Sequence, residues 1–344
     1  MKIVIDDKIP YIKGVLEPFA QVQYLPGGKI GKKAVKDADA IIIRTRTVCD
    51  ESLLHGSKVR FIATATIGHD HIDKTFCRLN GIEWTNAPGC NSASVEQYIS
   101  SALLNLAKEY HVNLREKTLG IVGVGNVGSK VKNSARLCGM HVLLNDPPRQ
   151  RVEGQEGFVG LEYLLENSDI VTLHVPLNRE GVDKTYHLFD EKRFSMMKTG
   201  QFLINSSRGE VIDNDALKKA LRNKEIAGAV LDVWENEPQI DEELLKLVMF
   251  GTPHIAGYSK DGKANGTAQA VNALCRFFGL PLDDWYPANI PVPDNTKISV
   301  DCRGKSLQEV LFDVINFTYD IKNDSKRLAL SPLNFEEQRG NYPL

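Results

Sequence analysis

The sequence predicts an α/β protein of two doubly wound parallel sheets, plus a small C-terminal α/β segment. Three observations carry this. Short apolar runs alternate with helix-like stretches along most of the 344 residues, the pattern of β-α-β units. That length exceeds what one core usually supports, so two domains are expected. A proline-rich stretch, YPANIPVPDNT (286–296), sets the remaining tail apart.

The elements follow in chain order. KIVI, AIIIRT, RFIATA and IEWT read as buried strands, with PYIKGVLEPFA and DKTFCRLNG among the helix-like segments between them. In NSASVEQYISSALLNLAKEYHVN, Val95, Tyr98, Ile99, Ala102, Leu103, Leu106, Ala107 and Tyr110 repeat along one helical face. Asn91 and Ser92 are its cap candidates. A second α/β series begins at Thr118 with the strands TLGIVGV, HVLLND, IVTLHV, QFLINS, GAVLDV and VMFGTP, and DGKANGTAQAVNALCRFFG reads as one more helix. In the tail, KISVDC predicts a strand and SLQEVLFDVINFTYDI an amphipathic helix. One strand and one helix cannot bury their own apolar faces, so the tail is expected to dock, a second copy of the chain being the candidate.

Composition narrows the function classes. With 42% hydrophobic and 25% charged residues and a net charge of −2, the chain reads as an ordinary globular protein with no nucleic-acid surface. No apolar run approaches the roughly 18 residues of a membrane span. The N-terminus, MKIVIDDKIPYIKG, places aspartates directly after its apolar residues and does not read as a signal peptide. Cys49, Cys77, Cys90, Cys138, Cys275 and Cys302 are scattered without a CxxC pair. They read as reduced thiols of a cytoplasmic protein. His69 and His71 in GHDHID have no accompanying cysteine or glutamate cluster, and no metal is expected.

Gly123-x-Gly125-x-x-Gly128 lies between a predicted strand and a predicted helix. The first glycine makes the turn, the second lets the backbone approach a diphosphate, and the third packs helix on strand. Asn126 and Val127 share this loop, and the diphosphate would rest on the positive end of the helix. The next strand ends in Asp146, 18 residues beyond Gly128, near the ~20 expected of the acid that bonds the ribose hydroxyls. That acid favours NAD over NADP, with Arg149 nearby as a possible counterweight. Both domains are therefore expected to be Rossmann-like.

Three charged residues follow successive strands of the second series: Arg208 in INSSRGEVID, Glu237 in LDVWENEP and His254 in TPHIAGYS. Residues beyond the carboxyl ends of parallel strands line the ligand crevice. Hydride transfer from a secondary alcohol needs a base, which histidine supplies near neutral pH. A carboxylate fixes the tautomer of the imidazole, and an arginine holds a substrate carboxylate with two parallel bonds. Asp232 is an acid in an apolar strand and needs a polar partner, for which a nicotinamide carboxamide would serve. His174, at a strand end, reads as structural with cofactor contact as the alternative, and Cys90 as a packing or substrate-adjacent residue.

GIVGVGNVG, SDIVTLHVPL, MMKTGQFLINSSRGEVIDNDAL, GAVLDVWENEP and TPHIAGYS resemble the successive signatures of the D-isomer-specific 2-hydroxyacid dehydrogenases. Within that family KIVIDDKIPY, IIIRTRT, FIATATIGHDHID, NAPGCN, LLNDPPR and GTPHIAGYSKDGKANGTAQ resemble the branch acting on 4-phospho-D-erythronate. The resemblance implies NAD-dependent oxidation of that acid at C2, a step toward pyridoxine 5′-phosphate. Rival readings are a glycerate or phosphoglycerate dehydrogenase, or an NAD-sensing binding protein of the same fold.

The resemblance also implies roles. Arg208 would orient the substrate, Glu237 support the histidine, and His254 act as acid/base. Asp146, Val175, Ser206, Ser207, Asp232 and Gly257 fall where the family contacts NAD. Thr45, where a serine is usual, Thr66 and Tyr258 fall where the branch contacts substrate. Arg44 and Arg46, on one face of an alternating strand, are candidates for the phosphate. The implied domains are 1–95 for substrate, completed by 258–285, then 96–257 for NAD and 286–344 for homodimerisation. The resemblance further implies a closing cleft between the first two domains. In the branch the C-terminal domain usually runs on beyond the equivalent of GNYPL, so this tail is expected to be shorter or clipped.

Overall fold

The computed structural model describes residues 1–293 and 295–343. Asp294 of the predicted linker and Leu344 of the predicted dimerisation segment lie outside the described residues. The chain forms two compact units, Met1–Asn91 with Tyr258–Asp294, and Ser92–Gly257 with Asn295–Leu344.

In the first unit β1 (Lys2–Asp6), β2 (Gln21–Leu25), β3 (Ala40–Ile43), β4 (Phe61–Thr64) and β5 (Glu83–Thr85) form an all-parallel sheet in the order β2-β1-β3-β4-β5. Alternate residues point to opposite faces of a strand. Val4, Ile41, Ile43 and Ile62 enter one apolar cluster, while Ile3, Ile5, Ala40, Ile42, Phe61 and Ala63 enter another. Two covered faces explain why these strands read as unbroken apolar runs. Ala270, Val271, Leu274 and Cys275 of the helix Lys260–Phe278 complete the second cluster.

PYIKGVLEPFA is not helical. Ile12 and Leu16 are fully buried at helical spacing, but Gly14 adopts φ +85° and two prolines interrupt the stretch, so turns carry them inward.

The second unit contains β6 (Thr118–Val122), β7 (His141–Asn145), β8 (Ile170–Leu173), β9 (Phe202–Asn205), β10 (Gly228–Leu231) and β11 (Phe250–Gly251). These pair in parallel in the order β11-β10-β9-β8-β6-β7. The long helix spans Ser92–Glu109 and buries seven of its eight predicted face positions, while Tyr110 falls beyond its end and is exposed.

The tail differs from expectation. KISVDC forms no strand and joins neither sheet, and an extended segment without a paired neighbour gains no ladder hydrogen bonds. The predicted helix exists as Leu307–Thr318, closed at its start by a Ser306–Glu309 capping box. Two further helices follow, Ile321–Leu330 and Phe335–Gly340. Leu328 and Phe335 are fully buried in the core of the second unit beside Trp234, Val211 and Leu244. Gln308 accepts from the Leu114 amide at 2.8 Å, and Asn105 Nδ2 donates to Asn316 Oδ1 at 2.8 Å. The tail therefore docks on the second unit of its own chain.

Candidate active site

The glycine fingerprint closes sterically where it must and opens where a ligand would approach. Gly123 adopts φ +88°, and a Cβ there would lie 2.4 Å from the His174 carbonyl oxygen. A Cβ at Gly128 would lie 2.1 Å from the Gly123 carbonyl oxygen, so only glycine lets the helix Asn126–Leu137 seat against β6. Around the Gly125 Cα nothing lies within 4 Å of where a Cβ would point. Gly125 caps the helix without a side-chain hydrogen bond, which leaves first-turn amides facing an anion site. Gly125 and Asn126 are exposed and Val127 half-buried.

Asp146 lies at the end of β7 and caps the helix Pro147–Glu153. Its two carboxylate oxygens accept from the amides of Val124 at 2.7 Å and Arg149 at 3.1 Å. Each oxygen keeps a further lone pair site for a ribose hydroxyl. Arg149 forks onto Glu153 with two bonds of 2.7 Å, so its charge is matched within the protein. Val175 is half-buried beside His174. Burial pushes the His174 imidazole down to about 3, and its Nε2 lies 3.0 Å from Thr172 Oγ1, a neutral structural ring.

The three charged candidates follow three neighbouring strands that end in register. Asn205 of β9, Leu231 of β10 and Gly251 of β11 are lateral partners. His254 Nδ1 lies 2.7 Å from Glu237 Oε2, and Glu237 Oε1 accepts from the Trp234 amide at 2.9 Å. Burial pushes the Glu237 carboxyl up, but the charge and hydrogen bond of His254, the Arg339 charge and the Trp234 amide outweigh it. The net result lies below the usual carboxylate range.

Asp232 builds the histidine loop. Its carboxylate, almost fully buried, accepts from Thr252 Oγ1 at 2.6 Å and from the amides of Ile255 at 2.8 Å and Ala256 at 2.9 Å. The protein itself thus supplies the polar partner that the sequence reading sought in a carboxamide. Tyr98 OH lies 2.8 Å from Thr252 Oγ1 and extends this network. Burial pushes the Asp232 carboxyl up, against the pull of His254 and of these donors. The His254 amide donates to the Asp232 carbonyl at 2.8 Å, and the residue holds φ +56°. That left-handed backbone is uncommon for a non-glycine residue and concentrates at functional sites. Gly257 closes the turn, half-buried.

Arg208 follows β9 in a loop pinned by Asn205, whose Nδ2 donates to the Arg208 carbonyl at 2.8 Å and whose Oδ1 accepts from the Ser207 amide and hydroxyl. Arg208 Nη1 donates to the Ser207 carbonyl at 2.7 Å. Ser206 Oγ is buried and has no hydrogen-bond partner among the described residues. A Cβ at Gly209 would lie 1.9 Å from the Trp234 carbonyl carbon. The arginine loop and the WENEP loop therefore touch backbone to backbone. Trp234 Nε1 in turn donates to the Thr252 carbonyl at 3.0 Å, so this one residue, through its backbone and its buried indole, ties together the loops carrying all three charged residues.

The first unit holds the expected substrate residues. Thr45 is exposed beyond β3. Thr66 Oγ1 lies 2.7 Å from Thr64 Oγ1 and donates to the Gly68 carbonyl at 3.0 Å. Tyr258 is half-buried beneath Lys263, whose Nζ lies 4.7 Å from the ring centroid. Because β3 ends at Ile43, Arg44 and Arg46 belong to a turn and do not share a strand face as expected. Arg44 reaches the Lys8 carbonyl at 3.4 Å, whereas Arg46 packs beside Gly27. Cys90 is buried, which pushes its thiol up to about 11. His69 meets the edge of Trp84 at 5.2 Å, and no cluster of three or more metal-ligating side chains occurs among the described residues.

Sequence reading missed Trp234, Gly209, Thr252, Tyr98 and Lys263. Only Gly209, directly after the arginine, carried a local signal.

Residues 93–256 match the family described as D-isomer specific 2-hydroxyacid dehydrogenase, NAD binding domain. The chain is 53% identical to an erythronate-4-phosphate dehydrogenase of Bacteroides fragilis, covering 100% of this chain and 96% of that one. It is 41% identical to an erythronate-4-phosphate dehydrogenase of Pseudomonas savastanoi pv. phaseolicola, covering 100% and 92%. Among solved structures it is similar to D-lactate dehydrogenase from Aquifex aeolicus complexed with NAD and lactic acid, with TM-score 0.69, 26% identity and coverage of 81% and 96%. NAD-bound 3-phosphoglycerate dehydrogenase of Entamoeba histolytica gives TM-score 0.70, 28% identity and coverage of 81% and 95%.

Proposed function

The chain belongs to the D-isomer-specific 2-hydroxyacid dehydrogenase family, and on that premise we propose that it oxidises 4-phospho-D-erythronate at C2. The product is 2-oxo-3-hydroxy-4-phosphobutanoate, the reaction is the one its relatives are named for, and it serves pyridoxine 5′-phosphate biosynthesis. The enzyme is an NAD-dependent dehydrogenase. NAD, when bound, supplies the hydride acceptor. Gly123, Gly125, Asn126, Val127 and Gly128 would hold its diphosphate and Asp146 its ribose, with Val175, Ser206, Ser207, Asp232 and Gly257 around the rest.

The single observation carrying the reaction is the 2.7 Å contact between His254 Nδ1 and Glu237. With Nδ1–H committed to an ionised carboxylate, Nε2 is the atom left to take the C2 hydroxyl proton, and the imidazolium so formed is stabilised by Glu237. Arg208 pairs with the substrate carboxylate and orients C2. Thr45, Thr66 and Tyr258 bind the remainder of the acid.

The finer expectations belong to the same reading. Residues 1–95 with 258–285 serve the substrate, 96–257 serve NAD, and 286–344 support a homodimer. Exposed Phe317, Leu330 and Leu333 on the tail suit that last role. The protein acts in the cytoplasm.

The test is NADH formation with 4-phospho-D-erythronate, D-erythronate, D-glycerate and 3-phosphoglycerate. The highest kcat/KM is expected for the phosphorylated four-carbon acid. A three-carbon acid turned over as well or better would place the chain elsewhere in the family. Failure with every acid would favour the NAD-sensing role.

A further inference from the structure

We propose that Lys263 and Arg44 form a phosphate subsite in the first unit that takes the dianion at the far end of the substrate, an inference that rests on the function proposed above. The sheet order β2-β1-β3-β4-β5 reverses direction between β1 and β3. In an open parallel sheet the crevice beyond such strand ends is where ligands bind. Pro10 follows β1 and Arg44 follows β3, so both lie at this crevice.

The helix Lys260–Phe278 is clamped over the same ends. Thr267 Oγ1 donates to the Pro10 carbonyl at 3.0 Å, and Asn265 Nδ2 to the Cys90 carbonyl at 3.0 Å. A Cβ at Gly266 would lie 2.6 Å from the Ala65 carbonyl oxygen, so the helix rests on the backbone beside Thr66. Lys263 precedes Thr267 by one helical turn and shares its face. Its ammonium is thereby carried to the crevice, over the ring of Tyr258.

The electrostatics there are unbalanced without a ligand. Burial and the neighbouring Arg44 charge push the Lys263 ammonium down to about 8, with no carboxylate of the described residues among the causes. Among the described residues the Arg44 guanidinium makes one long hydrogen bond, 3.4 Å to the Lys8 carbonyl, which leaves most of its fork of donors. Asp6, at the end of β1, turns its carboxylate instead to the Lys8 amide at 2.9 Å and to Gly27. A point cation and a planar fork held side by side match a tetrahedral dianion in both charge and acceptor count. The substrate carboxylate, already assigned to Arg208, does not compete for them.

The test is the ratio of kcat/KM for 4-phospho-D-erythronate to that for D-erythronate, measured in wild type, K263Q and K263R. Taken within one variant, the ratio is insensitive to the fraction of protein that folds. K263Q should lower it on the order of 10- to 100-fold, mainly through KM for the phosphorylated acid, the worth of one charged hydrogen bond. K263R should restore most of it. An unchanged ratio in K263Q overturns the subsite. If wild type turns over neither acid, the functional reading falls alone and inorganic phosphate decides the subsite. Phosphate should then raise the melting temperature of wild type and not of K263Q, and equal shifts would overturn the assignment.

Discussion

At the scale of single residues, the site depends on a carboxylate that stays ionised while largely buried. Glu237 achieves this because His254, the Arg339 charge and the Trp234 amide together outweigh its desolvation. Its carboxyl lies below its ordinary value in the folded chain, so the charged form favours folding. That contribution is complete above the unfolded value, about 4.3, and is lost as pH falls through the folded value. Glu237→Gln should therefore show a shallower loss of stability than wild type between about pH 5 and 3, measured by urea unfolding at each pH. Parallel curves would mean that the pair does not form in solution. The left-handed His254 is supported in a similar way, by three donors on Asp232 and by its own amide on the Asp232 carbonyl.

At the scale of elements, the C-terminal helices belong to the core that backs the catalytic loops. Ser325 Oγ accepts from the Gly251 amide at 3.1 Å, three residues before His254, and Leu328 lies in the cluster that contains Trp234. Leu328→Ala should cost about 2–5 kcal/mol in unfolding free energy. Leu330→Ala, at a site 77% exposed, should change it by no more than about 0.5 kcal/mol. Equal, small effects would show that the tail does not hold this position. The helices Ile321–Leu330 and Phe335–Gly340 escaped sequence reading because their apolar residues pack on a distant segment, not on one another. KISVDC erred in the opposite direction: its alternating apolar residues suit a strand, but pairing depends on an edge that the local sequence does not specify.

At the scale of the whole molecule, parallel α/β architecture was legible because strands buried on both faces leave continuous apolar runs, as in AIII and FIAT. The nucleotide fingerprint was legible because Gly123 and Gly128 answer local steric demands, while Gly125 leaves space open beside them. Arg208, Glu237 and His254 were legible as residue types following successive strands. The residue linking their loops was not, because Trp234 gains its meaning only from Gly209 at its backbone and Thr252 at its indole, both distant in the chain. The role of Lys263 was hidden for the same reason, since its environment comes from β1, β3 and Tyr258. The proposed reaction unites these observations, with the histidine as base and the glutamate orienting it. The most direct measurement compares wild type with His254→Ala for turnover of 4-phospho-D-erythronate and for NAD affinity. A fall in kcat of about 100- to 10,000-fold with NAD affinity retained is predicted. Turnover that survives the substitution would contradict the account.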